Sequence, residues 1–361
     1  MSALFTLAYA MGRFTMEVIA EMLNIKSEPK QGFRQFFTTK ETDTYGIQYD
    51  VVRNNDRVAL DVAIYEKGRI VRRDKGTQKN LVPANFDEKF DYSALEEYEN
   101  IQGANGGVAE KPYNQLIKNT AEGVRDIDDA FDMAEELACA SVMLTGEFPI
   151  RKGTTIDFKR KAASILAYDA GRDFGIDTVN PEETFILAGD FLVNEGDAAA
   201  SEIFTAILGP KVWLKMKNNP IVQKQADIRR MDHMELTTGS ENNTAPMESL
   251  TPQGVYSAGS YTFRIWTYGG TYKDESGVTH GIMDTNAMVV IPSSYDFDFT
   301  YCATKAMQGK VGSRWPKLIK GKRSTYKIEN EEECNVQIGR RSRFAPVPRS
   351  IDKIWTATIL Q

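Results

Sequence analysis

Apolar residues at Val124, Ile127, Phe131, Ala134, Ala138 and Val142 recur at intervals of three and four, which predicts a helix over 120–145 with one buried stripe. Asn119 or Thr120 can cap its start and Gly146 can stop it. Asp126, Asp128, Asp129, Asp132, Glu135 and Glu136 fill most of the other side. At 1.5 Å per residue such a helix is about 36 Å long, a stiff beam for a domain. A second stripe (Leu4, Leu7, Met11, Phe14, Val18, Met22, Ile25) predicts a helix over 4–25, ended by Pro29 and Gly32. Strict alternation marks strands at 45–52 and 58–64, and the polar turn 53–57 between them makes a hairpin. Phe148–Phe158, with Lys152-Gly153 in the middle, reads as another hairpin. Residues 160–235 read as mostly helical, punctuated by Pro181, Pro210 and Pro220, and 237–252 as a polar loop. Tyr261–Tyr268, Met288–Ile291 and Phe297–Tyr301 return to strand, and Trp355, Ala357 and Ile359 alternate in a closing one. Helix and strand runs are segregated rather than interleaved, the pattern of an α+β fold.

One stretch departs from both periods. Residues 66–80 carry Lys67, Arg69, Arg72, Arg73, Lys75 and Lys79 against Glu66 and Asp74, with only Ile70 and Val71 fit for a core. A segment of this kind cannot bury itself, so it reads as a projecting arm with a basic tip.

Composition then narrows the function. The 361 residues suit about two domains, and 42% hydrophobic with 26% charged residues is an ordinary folded chain. A net charge of −6 argues against a sequence-independent nucleic-acid clamp, though local basic patches remain open. Cys139, Cys302 and Cys334 lie far apart, as thiols of a reducing cytoplasm do, and no apolar run approaches a membrane span. The chain reads as a soluble intracellular product. His233 and His280 are the only histidines, and neither sits in a ligand-spaced motif. Gly321-Lys322 lacks the flanking glycine and hydroxyl of a phosphate loop, and Gly103, Gly106 and Gly107 do not follow a strand. No catalytic group, metal site or cofactor is expected, and the protein reads as a non-enzyme.

A second basic region runs from Lys305 to Lys353 and includes Arg314, Lys317, Lys320, Lys322, Arg323, Arg340, Arg341 and Arg343, interleaved with Trp315 and Tyr326. It suits phosphates and stacked bases, or a seam between subunits where its cations meet the acidic helix of a neighbour. The acidity of the rest favours the seam. The expected intersubunit contacts are therefore three groups. They are Lys67, Arg69, Arg72, Arg73, Lys75 and Lys79 at the arm tip; Asp128, Asp129, Asp132, Glu135 and Glu136 on the acidic helix; and Arg314, Lys317, Arg340, Arg341 and Arg343 on the basic seam.

The order of these parts resembles the tailed-phage major capsid proteins of the lambda-type E family, from about Phe36 to Ile359. Phe37-Thr38-Thr39 stands where that family's N-terminal arm passes into its extended loop, and 66–80 followed by Leu81-Val82-Pro83 stands at the loop's tip and return. Leu144-Thr145-Gly146-Glu147 ends the counterpart of its spine helix. Tyr256 through Ile291 resembles its axial strand-loop-strand. Arg314-Trp315-Pro316-Lys317 and Phe344-Ala345-Pro346-Val347-Pro348, the most specific matches, resemble its return into the peripheral domain.

The resemblance implies the tailed-phage major capsid fold. It assigns an N-terminal arm to 1–40 and an extended β-hairpin loop to 41–92. A peripheral domain with spine helix 120–145 takes 93–165 and 310–361, and an axial domain takes 166–309. It implies a shell subunit of the virion that assembles in the host cytoplasm as hexamers and pentamers into an icosahedral capsid around double-stranded DNA. The implied partners are itself, a separate scaffolding protein, a portal and a decoration protein, with no membrane. Lys67, Lys75 and Lys79 have no recognisable partner asparagine for the covalent crosslink of some relatives, so none is expected. The alternatives are an encapsulin-type nanocompartment shell, a soluble enzyme or a nucleic-acid-binding protein.

Overall fold

The computed structural model describes residues 32–51, 77–93, 112–150, 155–227, 234–235, 250–274, 276–308, 315–330 and 335–361. The expected helix 4–25, the strand 58–64, residues 66–76 of the basic stretch and most of the loop 237–252 lie outside the described residues.

The early strands are β1 (Thr38–Glu41), β2 (Ile47–Val51), β3 (Thr77–Leu81), β4 (Ala84–Ser93), β5 (Glu147–Phe148), β6 (Ile156–Asp157), β7 (Ile165–Leu166) and β8 (Ile203–Leu208). Then come β9 (Met234–Glu235), β10 (Leu250–Ala258), β11 (Tyr261–Tyr268), β12 (Thr271–Lys273), β13 (Thr279–Gly281), β14 (Ala287–Ile291) and β15 (Phe297–Tyr301). The last are β16 (Thr304–Gln308), β17 (Trp315–Ile319), β18 (Ser324–Asn330), β19 (Asn335–Pro348) and β20 (Trp355–Thr358). The helices are α1 (Pro112–Thr145), α2 (Pro181–Asn194), α3 (Pro210–Asn218) and α4 (Pro220–Asp227).

Helix α1 begins eight residues before the expected start at 120, with a proline at its first position, where the missing N–H costs nothing. Its 34 residues make it about 51 Å long at 1.5 Å per residue. Val124, Ile127, Phe131, Ala138 and Val142 are all buried, as the spacing predicts. Gly146, at φ +76, takes the left-handed conformation that closes the helix, and its N–H donates to the Val142 carbonyl at 2.9 Å. The last turn is also tied down by Arg160, which donates to the carbonyls of Met143, Leu144, Ser164 and Ile354. Burial pulls the Arg160 guanidinium down to about 9, opposed by Asp352.

Two sheets organise the body. In the five-stranded sheet the order is β1-β15-β19-β18, with β4 on the other side of β19, and only β1 runs parallel to its neighbour. Its Phe299, Tyr301 and Phe344 stack on the face that α1 covers, together with Phe86. The seven-stranded sheet has the order β7-β20-β14-β8-β11-β10-β9. Its central strands are buried on both faces. Phe204, Ala206, Leu208, Met288 and Val290 pack with α2 and α3, while Ile207, Val289 and Ile291 join the core beneath α1.

One expectation is corrected here. Residues 203–208 are the central strand of a sheet rather than helix, because a strand buried on both faces shows no apolar–polar alternation. Strand β2 pairs with β3, Ile47 opposite Leu81, and its expected partner 58–64 lies outside the described residues. Two strands link the regions on either side of positions 165 and 310. β15 pairs with β1 and β19 in the first sheet, and β20 enters the second between β7 and β14.

Candidate assembly surfaces and the charged seam

The acidic side of α1 faces its own chain. Between β17 and β18, Arg323 is drawn over the helix: its Nη1 lies 2.7 Å from an Asp128 oxygen and its Nη2 pairs with Asp132. Arg340 of β19 also pairs with Asp128, and Lys322 reaches Asp132 at 3.4 Å. Burial works against the charge on Arg323, but Asp132, Glu135 and Asp128 outweigh it and hold the guanidinium protonated. The cause is the register of the first sheet. Antiparallel pairing sets Thr325 opposite Arg340, on the face packed against α1.

Glu135 and Glu136 go deeper, at 2% and 1% exposure. Glu135 accepts from the Tyr301 hydroxyl at 2.6 Å and lies 3.7 Å from Arg34. Glu136 accepts from the backbone N–H groups of Phe33 and Arg34 at 2.6 and 2.9 Å, and from the Tyr268 hydroxyl at 2.8 Å. Its carboxylate thereby caps the short 3-10 turn Phe33–Phe36. Arg34 completes the knot, with Nη1 on the Phe37 carbonyl, Nη2 on Thr39 and its plane over the Phe299 ring. Gly32 is required beside it, since a Cβ there would sit 2.1 Å from Tyr268 Cε2. Burial raises the Glu136 carboxyl, partly opposed by these hydrogen bonds, and pushes the Tyr268 and Tyr301 hydroxyls up strongly.

The other face of the first sheet is open and charged. Arg341 stacks on Tyr326 and pairs with Asp87 at 2.7 Å, while Lys40 and Arg349 converge on the buried Asp298 at 2.7 and 2.6 Å. Arg343 is buried with its guanidinium over the Tyr45 ring. A cleft of about 640 Å³ opens here, lined by Lys40, Tyr45, Ile47, Val82, Asp298 and Arg349 among others. The β2–β3 ribbon rises at this point, rooted by buried Ile47 and Leu81 but joined to neither large sheet. The β16–β17 ribbon is exposed along the whole of β17, with Trp315 at 55%.

For the predicted contact residues, the outcome is as follows. Asp128, Asp132, Glu135, Glu136, Arg340 and Arg341 find partners inside one chain. Arg343 is turned inward too. Asp129 and Lys317 are exposed, and Lys79 lies opposite Tyr49 in the ribbon. Lys67, Arg69, Arg72, Arg73, Lys75 and Arg314 lie outside the described residues. Arg34, Arg160, Tyr268 and Asp298 were not anticipated. Glu135 carried a signal, because it follows Phe131 by one helical turn and so falls on the buried stripe itself.

His280 is exposed and pairs with Asp274 at 3.0 Å, and Cys139 and Cys302 are buried and free. Among the described residues no group of His, Cys, Asp and Glu is placed to hold a metal ion.

A long helix on one sheet, a second sheet whose central strands are buried on both faces and a ribbon leaving the body define the fold of tailed-phage shell subunits. A protein of an Escherichia coli CFT073 prophage, described as its capsid protein, shares the fold at a TM-score of 0.60. It is 17% identical over 93% of this chain and 96% of that one. A phage-related protein from Bordetella bronchiseptica RB50 covers 94% and 96% at 11% identity and a TM-score of 0.48. No curated protein matches the sequence. The chain belongs to the phage major capsid protein E family, whose model matches residues 15–327. It is a shell-forming structural protein of the virion capsid, not an enzyme, and it associates with itself into capsomers.

Proposed function

We propose that this subunit forms hexamers and pentamers that close into an icosahedral shell around double-stranded DNA. The observation that carries the mechanics is the β2–β3 ribbon, which is fixed at its root by Ile47 and Leu81 and contributes to neither large sheet. A ribbon of this kind gains its remaining burial and strand partners on another copy. β1, the edge of the first sheet, offers one place for such pairing, since its outer side has no partner among the described residues. A separate scaffolding protein, a portal and a decoration protein complete the proposed set, with assembly in the host cytoplasm. The proposed intersubunit contacts are the three groups expected from the sequence, of which Asp129 and Lys317 are exposed on this chain.

Expression of the chain with its scaffolding protein and portal, followed by electron microscopy, tests this. Closed isometric particles that take up DNA are the expected result. Particles filled with protein instead would make the nanocompartment reading the right one, and soluble monomers under all conditions would overturn the shell.

A further inference from the structure

We propose that the exposed side of α3 and α4 is a contact surface for the phosphate backbone of double-stranded DNA, an assignment that rests on the shell reading above. From Ile203 to Ala226 the chain holds no carboxylate, although the protein as a whole is acidic, and Asp227 closes α4. Within that stretch Lys211, Lys215 and Lys217 of α3 and Lys224 of α4 are all exposed. Among the described residues none of the four ammonium groups has an ion-pair or hydrogen-bond partner. Several cations elsewhere are paired with a carboxylate, among them Arg323, Arg340, Arg341, Arg349, Lys40 and Lys161.

Local stability does not account for the arrangement. Lys215 and Lys217 lie in the last turn of α3, where a cation is favoured, but Lys211 lies in the first, against the positive end of the helix, with no acid beside it. The platform beneath is rigid. Val212, Met216 and Val222 are buried, and the corner between the helices is held by Asn219. Its amide donates to the Phe174 and Val179 carbonyls at 3.4 and 3.1 Å, and its oxygen accepts from the Ile221 N–H at 2.9 Å.

Four exposed lysines on a fixed corner, without a partner among the described residues, make a surface for a polyanion. Lysine is a mobile point charge without the planar fork of arginine, so it holds phosphates loosely and without regard to sequence. That suits a duplex that must slide on entering and leaving a container. An acidic protein segment is the competing partner. It is disfavoured because Leu214, at 56% exposure, is the one large apolar residue exposed on these two helices, whereas a protein interface is anchored by a buried cluster.

The test uses the full-length, unassembled subunit and a fluorescent 30-base-pair duplex, titrated between 50 and 200 mM salt. Each phosphate contact adds about 0.9 to the slope of log affinity on log salt. A variant with Lys211, Lys215, Lys217 and Lys224 all changed to Gln is expected to bind more weakly, with a slope shallower by roughly three to four. The four-arginine variant is expected to keep the slope, which guards against loss of fold in the first. An unchanged slope in the Gln variant, or no duplex binding by the parent protein at 50 mM salt, would overturn the assignment. Loss of poly-glutamate binding with duplex binding intact would assign the surface to an acidic protein instead. Electron microscopy of the parent protein judges the shell separately. Absence of particles there rejects the shell reading whatever the slope, whereas normal particles with an unchanged slope reject this surface alone.

Discussion

The carboxylate of Glu136 accepts a hydrogen bond from the backbone N–H of Phe33 at 2.6 Å, joining positions 103 residues apart. Without that acceptor, the N–H groups of Phe33 and Arg34 and the Tyr268 hydroxyl are left buried and unpaired. At about 1–3 kcal/mol for each of these three unsatisfied groups, Glu136→Ala is expected to lower the unfolding free energy by about 3 kcal/mol or more. Urea titration of the unassembled subunit measures this. A loss below 0.5 kcal/mol would show that the contact is not formed in solution.

The same residue sets a pH dependence. Burial lifts its carboxyl above the ordinary 4.5. A carboxyl that holds its proton more tightly in the folded state stabilises the fold below that ordinary value, and the contribution fades as pH rises through the folded value. Compared with Glu136→Gln, which does not titrate, the natural protein should therefore lose relative stability as pH rises from 4 toward 8. Melting temperatures of the two proteins across that range give the sign directly.

Asp132 and Arg323 meet within one subunit, so their coupling belongs to folding. A double-mutant cycle with Asp132→Asn and Arg323→Gln is expected to show about 1–3 kcal/mol of interaction in the unassembled protein. Zero coupling in the lone subunit, with coupling only in the shell, would return the pair to an intersubunit role.

Burial pushes the Cys139 thiol well above its ordinary 9 and raises Cys302 to about 11. Since the thiolate is the reactive form, iodoacetamide at pH 8 is expected to leave both unmodified in the folded subunit and to label both in urea. Mass spectrometry of tryptic peptides reads the outcome. Rapid labelling of Cys139 without denaturant would contradict the packing under α1.

Charge reversal at Arg72 and Arg73 tests the arm. The double Glu variant is expected to keep the circular dichroism and melting temperature of the parent while forming fewer closed particles by electron microscopy. Normal assembly of that variant would remove the arm tip from the proposed contacts.

Much of this architecture is legible where one face of an element is wet. The stripe from Val124 to Val142 gives α1, and the aromatic run from Phe297 to Tyr301 gives β15 in full. Residues 203–208 are not legible, because both faces of that strand are dry and an unbroken apolar run has no period. The ion pairs fail for another reason. Asp132 and Arg323 are 191 positions apart, and nothing in either neighbourhood says whether the meeting happens inside one molecule or between two. The charges themselves were visible; the sheet register that joins them was not.

β20 carries one last implication. It lies inside the second sheet, between two strands made far earlier, and Trp355 is fully buried there. A nascent polypeptide therefore holds an open slot between residues 165–166 and 287–290 until position 358 has cleared the ribosome. Competence to join a lattice is thereby delayed until β20 has been made, and a product truncated before it should be cleared by proteases rather than poison the growing particle.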